Sequence, residues 1–193
     1  MSALAKYETK TLPADKVDAG DDRSGSELQQ YLTFTLGGEV FAIGILAIKE
    51  ILEYEQLTEV PMTPESIRGV INLRGSVVPV IDLSARFGGE RTTVTRRTCI
   101  VILEVRSGEE VHVIGVVVDS VSEVLEIPPS EIEPRPSFGA TIRTDFIEGM
   151  GKVDGKFVIL LDIGQVLSVD EISAIEMVAE KRSNDEEAAL PIE

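Results

Sequence analysis

The residues that most often do chemistry are scarce in this chain. It has one histidine and one cysteine, so any Ser-His or Cys-His arrangement must use His112, and a cysteine nucleophile must be Cys99. His112 lies in EVHVIG, whose alternation predicts a strand, and Cys99 opens the apolar run CIVILEV, which predicts a buried, inert thiol. Zinc sites need clustered Cys and His. We therefore predict no catalytic residue, metal or cofactor, although a carboxylate-only Mg²⁺ or Ca²⁺ site stays open despite the lack of EF-hand spacing.

Two aspartates are the strongest catalytic candidates. Asp82 and Asp162 occupy the same place in a weak internal repeat, in which residues 67–83 align without gaps to residues 147–163. Two carboxylates brought together would form an acid/base dyad, as in aspartic proteases. Those enzymes carry Asp-Thr-Gly or Asp-Ser-Gly, whereas this chain has Asp-Leu-Ser and Asp-Ile-Gly. A small acidic hydrolase is thus the alternative function, and the simpler role for both aspartates is to accept backbone hydrogen bonds at strand ends.

The elements that hold these residues are mainly strands. Val and Ile dominate the apolar segments, and glycines punctuate them. Strands are predicted at LQQYLTFTL, EVFAI, IKEILEY, VINL, SVVPVIDL, TCIVILEV, EVHVIGVVVD and KFVILLDI. The segment GMGKVDGK superficially resembles a phosphate-binding loop, but it lacks the Gly-Lys-Ser/Thr pattern, and we interpret it as a hairpin.

Two short helices are also predicted. In VPMTPESIRGV, Thr63 suits the N-cap and Gly69 the end of a helix of one or two turns. Near the C-terminus, Ser168 and Glu171 form a capping box that starts a closing helix, with one apolar face made of Ile172, Ile175 and Val178.

The repeat indicates paired small barrels or sandwiches, with a cleft between them for a ligand or partner. It also separates fold from function. Gly75 aligns with Gly155 at a two-residue hairpin turn, whereas Arg74 meets Asp154 and Pro79 meets Ile159. The repeated fold therefore requires neither Arg74 nor Pro79, and we expect Pro79 to lie at a sheet edge.

Charge and composition limit the partners and the compartment. The formal charge is −16, and the ends hold half of it: residues 1–28 carry four basic and six acidic groups, and residues 170–193 carry two and eight. No basic stripe would offset phosphate repulsion, so nucleic acid is not an expected partner. A single cysteine favours a reducing compartment, the cytoplasm, and no apolar run approaches the ~18 residues of a membrane helix. Residues 1–27 are predicted to form a disordered lead.

Four segments together resemble the CheW family of bacterial chemotaxis adaptors: FAIGILAIKEIL, TPESIRGVINLRGSVVPVIDL, IGVVVDSVSEVLEI and RPSFGATIRTDFIEGMGKVDGKFVILLDI. The likeness runs from about Gln29 to about Ile175. It implies one domain over residues 28–176, built from two small SH3-like five-stranded β-barrels side by side, with short helices and a C-terminal helix. The divide is expected near residues 93–98, with strands able to cross over, and residues 177–193 form an acidic tail.

The resemblance implies a non-enzymatic adaptor that couples transmembrane chemoreceptors, the methyl-accepting chemotaxis proteins, to the histidine kinase CheA. The receptor's cytoplasmic helical hairpin tip is expected between the barrels. Barrel contacts would join the adaptor to the kinase regulatory domain and to further copies of the family in rings. Such a protein is cytoplasmic and is recruited to the inner face of the membrane without inserting into it. An adaptor of a paralogous pathway, such as one for surface motility or development, is the alternative.

Six positions match residues to which the family gives a role. Arg74 is the arginine of the NLRG turn, and Glu50 is its expected acidic partner. Apolar Ile48 and Val124 would receive an amphipathic helix, and Gly115 would allow close backbone approach. Phe138 matches an aromatic implicated in kinase and adaptor contacts. From the residues alone, a plain surface arginine and plain core packing of Ile48 and Val124 remain open.

Overall fold

The computed structural model describes residues 28–137 and 142–167 and the single positions 177 and 181. The predicted disordered lead, Phe138, and all of the closing helix except Met177 and Lys181, which are both helical, lie outside that range. Eleven strands are described: β1 Gln29–Leu36, β2 Glu39–Gly44, β3 Ile48–Glu53, β4 Ile67–Leu73, β5 Ser76–Asp82, β6 Cys99–Ser107, β7 Glu110–Val118, β8 Ser120–Ile127, β9 Ile132–Glu133, β10 Ile147–Val153 and β11 Lys156–Leu161.

The strands form two curved sheets. Sheet 1 has six strands in the order β8-β1-β2-β11-β10-β9, and sheet 2 has five in the order β3-β6-β7-β5-β4. In each sheet one inner pair is parallel, β2 with β11 and β5 with β7. Within the described residues, no pairing joins the two edge strands of either sheet into a closed ring. The predicted paired barrels are confirmed as two small, incompletely closed sheets.

The two halves of the repeat exchange their first hairpins. The first half supplies β1 to β5, and the second supplies β6 to β11. Hairpin β1–β2 pairs with β8 and β11 of the second half, while hairpin β6–β7 pairs with β3 and β5 of the first. The predicted divide near residues 93–98 therefore separates the repeats but not the sheets. The chain changes sheet instead after Gly44 and again between Val118 and Ser120.

Apolar side chains form three cores, because the central strands are buried on both faces. One core lies inside sheet 1 around Tyr31, Ile127 and Leu160, and another inside sheet 2 around Val80 and Ile100. The third lies between the sheets and takes side chains from both. Its members include Phe34, Phe41, Val101, Leu103, Val116 and Leu161. The space between the sheets is thus filled by packing, so the expected cleft there does not run through the molecule.

The predicted helix over residues 63–69 is wrong. Residues 61–66 form turns, and β4 begins at Ile67. The Thr63 hydroxyl donates to the Val60 carbonyl (2.8 Å) instead of capping a helix. Gly69 has φ 147°, and a Cβ atom there would lie 2.4 Å from the Thr58 carbonyl oxygen. The glycine therefore serves a close backbone approach, whereas its position in the sequence suggested a helix end.

Two short helices follow the repeated strand pairs, α1 Leu83–Arg86 and α2 Ile163–Val166. Each is capped by the repeated aspartate, which confirms the predicted backbone role. Pro79, however, lies in β5, an inner strand. It is tolerated there because pairing of β5 with β7 begins one residue later, at Val80. No helix within the described residues is long and apolar enough to cross a membrane.

Candidate functional site

Arg74 and Glu50 form a bidentate ion pair that joins opposite edges of sheet 2. Glu50 lies on edge strand β3, and Arg74 lies at the tip of the β4–β5 hairpin. Arg74 Nη1 donates to Glu50 Oε1 (2.8 Å) and Nη2 to Oε2 (3.1 Å). The Arg74 side chain is 76% exposed and that of Glu50 only 16%, so the carboxylate anchors an arginine that still faces solvent. The pairing predicted from the family motif is present.

Arg74 occupies the first central position of a tight hairpin turn that is repeated in the second half of the chain. Arg74 and Gly75 have φ values of 53° and 87°, and Asp154 and Gly155 have 49° and 76°. Positive φ at both central residues is what a type I′ hairpin turn requires. In the first turn the Asn72 side-chain oxygen also accepts a hydrogen bond from the Gly75 N–H (2.9 Å). In the NLRG turn, Asn72 and Gly75 therefore stabilise the turn itself. Arg74 is held in a backbone conformation that arginine does not favour.

Ile48 and Val124 lie on the edge strands of different sheets, β3 and β8. Both are half-buried and pack against the inter-sheet core. Each side chain therefore contributes to core packing and also exposes an apolar surface, and its receptor role stays a prediction. The site predicted for the receptor comprises these two edge strands and the Arg74 hairpin, which we call the rim.

Gly115 does not lie on this rim. It is buried in β7, and a Cβ atom there would approach Ile100 Cγ2 to 2.9 Å and Val80 Cγ2 to 3.1 Å. The close approach at Gly115 is made by side chains of its own sheet and not by a partner's backbone. The receptor role of Gly115 stays a prediction, and because the residue is buried, such a role would be exerted through the packing of sheet 2.

The two repeated aspartates form no dyad. The Asp82 carboxylate is fully buried and accepts hydrogen bonds from Ala85 N (3.2 Å) and Thr92 N (2.9 Å), with Arg68 Nη1 at 3.4 Å. Asp162 caps α2 by accepting from Gln165 N (3.2 Å). Neither carboxylate contacts the other, and each serves its own half of the repeat. The hydrolase alternative is therefore wrong in its central feature.

The remaining chemical candidates are structural. His112 is buried in β7 with Nε2 3.6 Å from Glu110 Oε2. Cys99 is half-buried at the start of β6, less enclosed than predicted, and its Sγ donates to the Arg97 carbonyl (3.2 Å). Burial raises the pKa of the thiol, which opposes formation of the thiolate. Over the described residues no group of three or more His, Cys, Asp or Glu side chains is placed to hold a metal ion.

Comparison with known proteins matches residues 30–171 to the family model described as the CheW-like domain. The chain belongs to the CheW-like family. The chemotaxis protein CheW of Klebsiella aerogenes is 38% identical over 151 residues, which cover 78% of this chain and 89% of that protein. CheW of Rhizobium meliloti is 32% identical over 146 residues, covering 76% and 92%. Protein FrzA of Myxococcus xanthus is 29% identical over 127 residues, covering 66% and 76%.

A solved CheW structure has the same fold. The scaffolding protein TtCheW from Thermoanaerobacter tengcongensis superposes with a TM-score of 0.68 at 33% identity, over 79% of this chain and 96% of that one. The chain is accordingly a CheW-type scaffold adaptor of chemotaxis and not an enzyme.

This CheW-like domain also has a cavity that the sequence did not predict. Its volume is about 600 Å³, and it lies where β2 leaves sheet 1 after Gly44. Its lining combines apolar residues with two carboxylates, those of Glu148 and Asp162. Desolvation, and then the Asp162 charge, raise the pKa of Glu148. The sequence did not predict the cavity, because its lining comes from segments far apart in the chain. Only the order of the strands in sheet 1 brings those segments together.

Proposed function

We propose that the chain couples chemoreceptors to the histidine kinase CheA, as an adaptor held at the inner face of the membrane by receptor arrays. The observation that supports this function best is the Arg74–Glu50 pair, because it fixes a solvent-facing guanidinium at a position where the other copy of the repeat has Asp154, so the fold does not need the arginine. Both turns require a positive φ at this position, which aspartate tolerates better than arginine. A residue that the fold does not need and that carries such a conformational cost is typical of binding positions.

The receptor's helical hairpin tip would lie along the rim between β3 and β8. Ile48 and Val124 offer half-buried aliphatic surface from two different sheets, which suits the apolar face of an amphipathic helix. Apolar contact would supply most of the affinity. The Arg74–Glu50 pair would select the partner and its orientation, since charges at an interface rim contribute more to specificity than to affinity.

The kinase regulatory domain would bind a second region. Its support comes from the sequence: Phe138 follows Arg135-Pro-Ser and matches an aromatic that the family uses between adaptor and kinase. Aromatic side chains are common anchors of protein interfaces. Contacts of the same kind would link several adaptors into rings.

The test measures binding of the full chain to a receptor cytoplasmic fragment and to the kinase regulatory domain, separately and together. Arg74→Ala should weaken receptor binding roughly two- to fivefold and leave kinase binding and Tm unchanged, because the guanidinium that is removed faces solvent. Arg74→Asn is the sharper variant, since asparagine tolerates positive φ and should raise Tm by about 2 °C while losing the same receptor affinity.

Arg143→Ala is the matched control, because Arg143 is 70% exposed and paired to Asp145 at a different place. Unchanged receptor binding by both Arg74 variants would contradict the proposal, as would equal losses in the Arg143 variant. A drop of several degrees in the Tm of Arg74→Ala would instead make Arg74 a structural residue.

A second candidate is an adaptor of a related pathway with its own receptor and kinase. The match to a protein named FrzA, and not CheW, favours keeping it. Binding to a receptor and kinase from one pathway, in competition with those from another, separates the two.

A further inference from the structure

The cavity beside Gly44 is open to solvent, and its described lining combines apolar side chains with two carboxylates, those of Glu148 and Asp162. Of the exposed large apolar side chains in the described part of the chain, two line it: Leu46, which is 99% exposed, and Leu28, which is 56% exposed. Leu46 lies in the 3₁₀ turn Ile45–Ala47, which connects β2 in sheet 1 to β3 in sheet 2. Two large apolar side chains exposed at one cavity form an apolar patch, and such patches are typical of surfaces that contact other molecules.

The cavity arises from the strand exchange. Beyond Gly44 the place of β2 beside β1 is left empty, while β1 extends two residues further, to Gln29, on its other pairing with β8. That free stretch of strand edge is too short to add a strand of a partner. Recognition here must therefore use side chains, and a helix laid in the groove is the form of partner that does so.

The negative charge of the cavity lining favours a partner helix that carries a basic side chain. Glu148 and Asp162 line the cavity, and among the described residues that line it there is no lysine, arginine or histidine. The Tyr31 hydroxyl, on the same lining, donates to Gln29 Oε1 (2.6 Å). Both carboxylates line the same cavity, and the pKa of Glu148 is raised first by desolvation and then by the Asp162 charge. A cation between the two carboxylates would offset their negative charge.

We propose that this cavity is a docking site for an amphipathic helix of a protein partner, which places leucine-like side chains between Leu28 and Leu46 and a lysine or arginine against Glu148 and Asp162. The site goes beyond the proposed receptor coupling, because it uses none of Arg74, Glu50, Ile48 and Val124. Failure of one proposal therefore leaves the other in place.

The experiment titrates the ¹⁵N-labelled full chain with three designed helical peptides. Each carries one leucine face and a single lysine at a different position flanking it, and each has a twin with glutamate in place of lysine. At least one lysine peptide should shift the amide signals of residues 28–31 and 45–47 and bind roughly tenfold more tightly than its glutamate twin. Raising the salt concentration from about 50 to about 500 mM should reduce that preference.

Variants locate the site. Glu148→Gln should weaken the lysine peptide roughly two- to fivefold, and Leu46→Ser should weaken both twins. Glu109→Gln is the charge control and Val111→Ser the apolar control, since both residues are exposed on the β6–β7 hairpin, outside the cavity lining. The proposal is overturned if no lysine peptide binds, if the shifts lie elsewhere, if the twins bind equally, or if Glu148→Gln matches its control.

Discussion

At the scale of single residues, the same amino acid in the same repeat position has two environments. Asp82 and Asp162 both cap a short helix, yet Asp82 is fully buried between Thr92 and Arg68, while Asp162 is half-exposed beside the cavity. The repeat therefore preserved the cap and allowed the surroundings to diverge. The first copy uses its carboxylate to hold the loop that contains Thr92, and the second leaves it available at the surface.

This difference predicts unequal costs for the same change. Asp82→Asn leaves the largely buried Arg68 without its charged partner, and we expect the free energy of unfolding to fall by about 3 kcal/mol. Asp162→Asn keeps a good N-cap and should cost about 0.5 kcal/mol or less. Urea unfolding of both variants measures the difference, and equal losses would contradict the assigned environments.

Glu148 makes a prediction about pH. Its pKa in the folded protein is raised above the ~4.3 of an unfolded glutamate, so the folded state binds the proton more tightly. The stability that depends on this proton is present below pH ~4 and is lost as the pH rises through the folded pKa. Glu148→Gln should therefore increase Tm by about 1 °C at pH ~7, a small effect because the side chain is exposed, and should have no effect at pH ~3. A decrease at neutral pH would show that the carboxylate stabilises the fold.

At the scale of elements, the sequence predicted the strands whose pattern depends on their own residues. Central strands such as β6 and β7 appear as long apolar runs because sheet and inter-sheet cores bury both faces. The helix predicted from Thr63 failed because its signals are equally those of a Pro-rich turn, and the contact of Gly69 with Thr58 is set by tertiary structure. The pairing of Glu50 with Arg74 was predicted from the family resemblance alone. The contact depends on the curvature of sheet 2, and no short sequence pattern indicates that curvature.

Sheet packing also predicts how two glycines differ. Gly115→Ala would press a methyl group into Ile100 and Val80, and we expect it to lower the free energy of unfolding by about 1–3 kcal/mol. Gly44→Ala is the matched control, because Gly44 has φ −55° and its added methyl group would meet no atom within 4 Å. Thermal unfolding should show a loss only for Gly115→Ala. If Gly115→Ala impairs receptor binding without losing stability, the residue acts more directly than its burial indicates.

At the scale of the whole molecule, the exchanged hairpins make each sheet depend on both halves of the chain. A cut after the exposed Arg96 separates the repeats without removing a strand. We expect residues 1–96 and 97–193 to lack cooperative unfolding when alone, since each would carry incomplete sheets and expose part of the inter-sheet core. Mixed together, they should regain the circular dichroism spectrum and a single unfolding transition. Independent folding of either fragment would contradict the exchange.

The two crossings of the chain between the sheets, after Gly44 and after Val118, have a mechanical consequence. Two domains joined by one linker can swing about it, so a partner bound to one has no fixed bearing on a partner bound to the other. Here, rotation about either crossing is blocked by the other and by the core they enclose. A displacement imposed on one sheet is therefore expected to move the other sheet with it, which would keep two partners bound to different sheets at a constant angle.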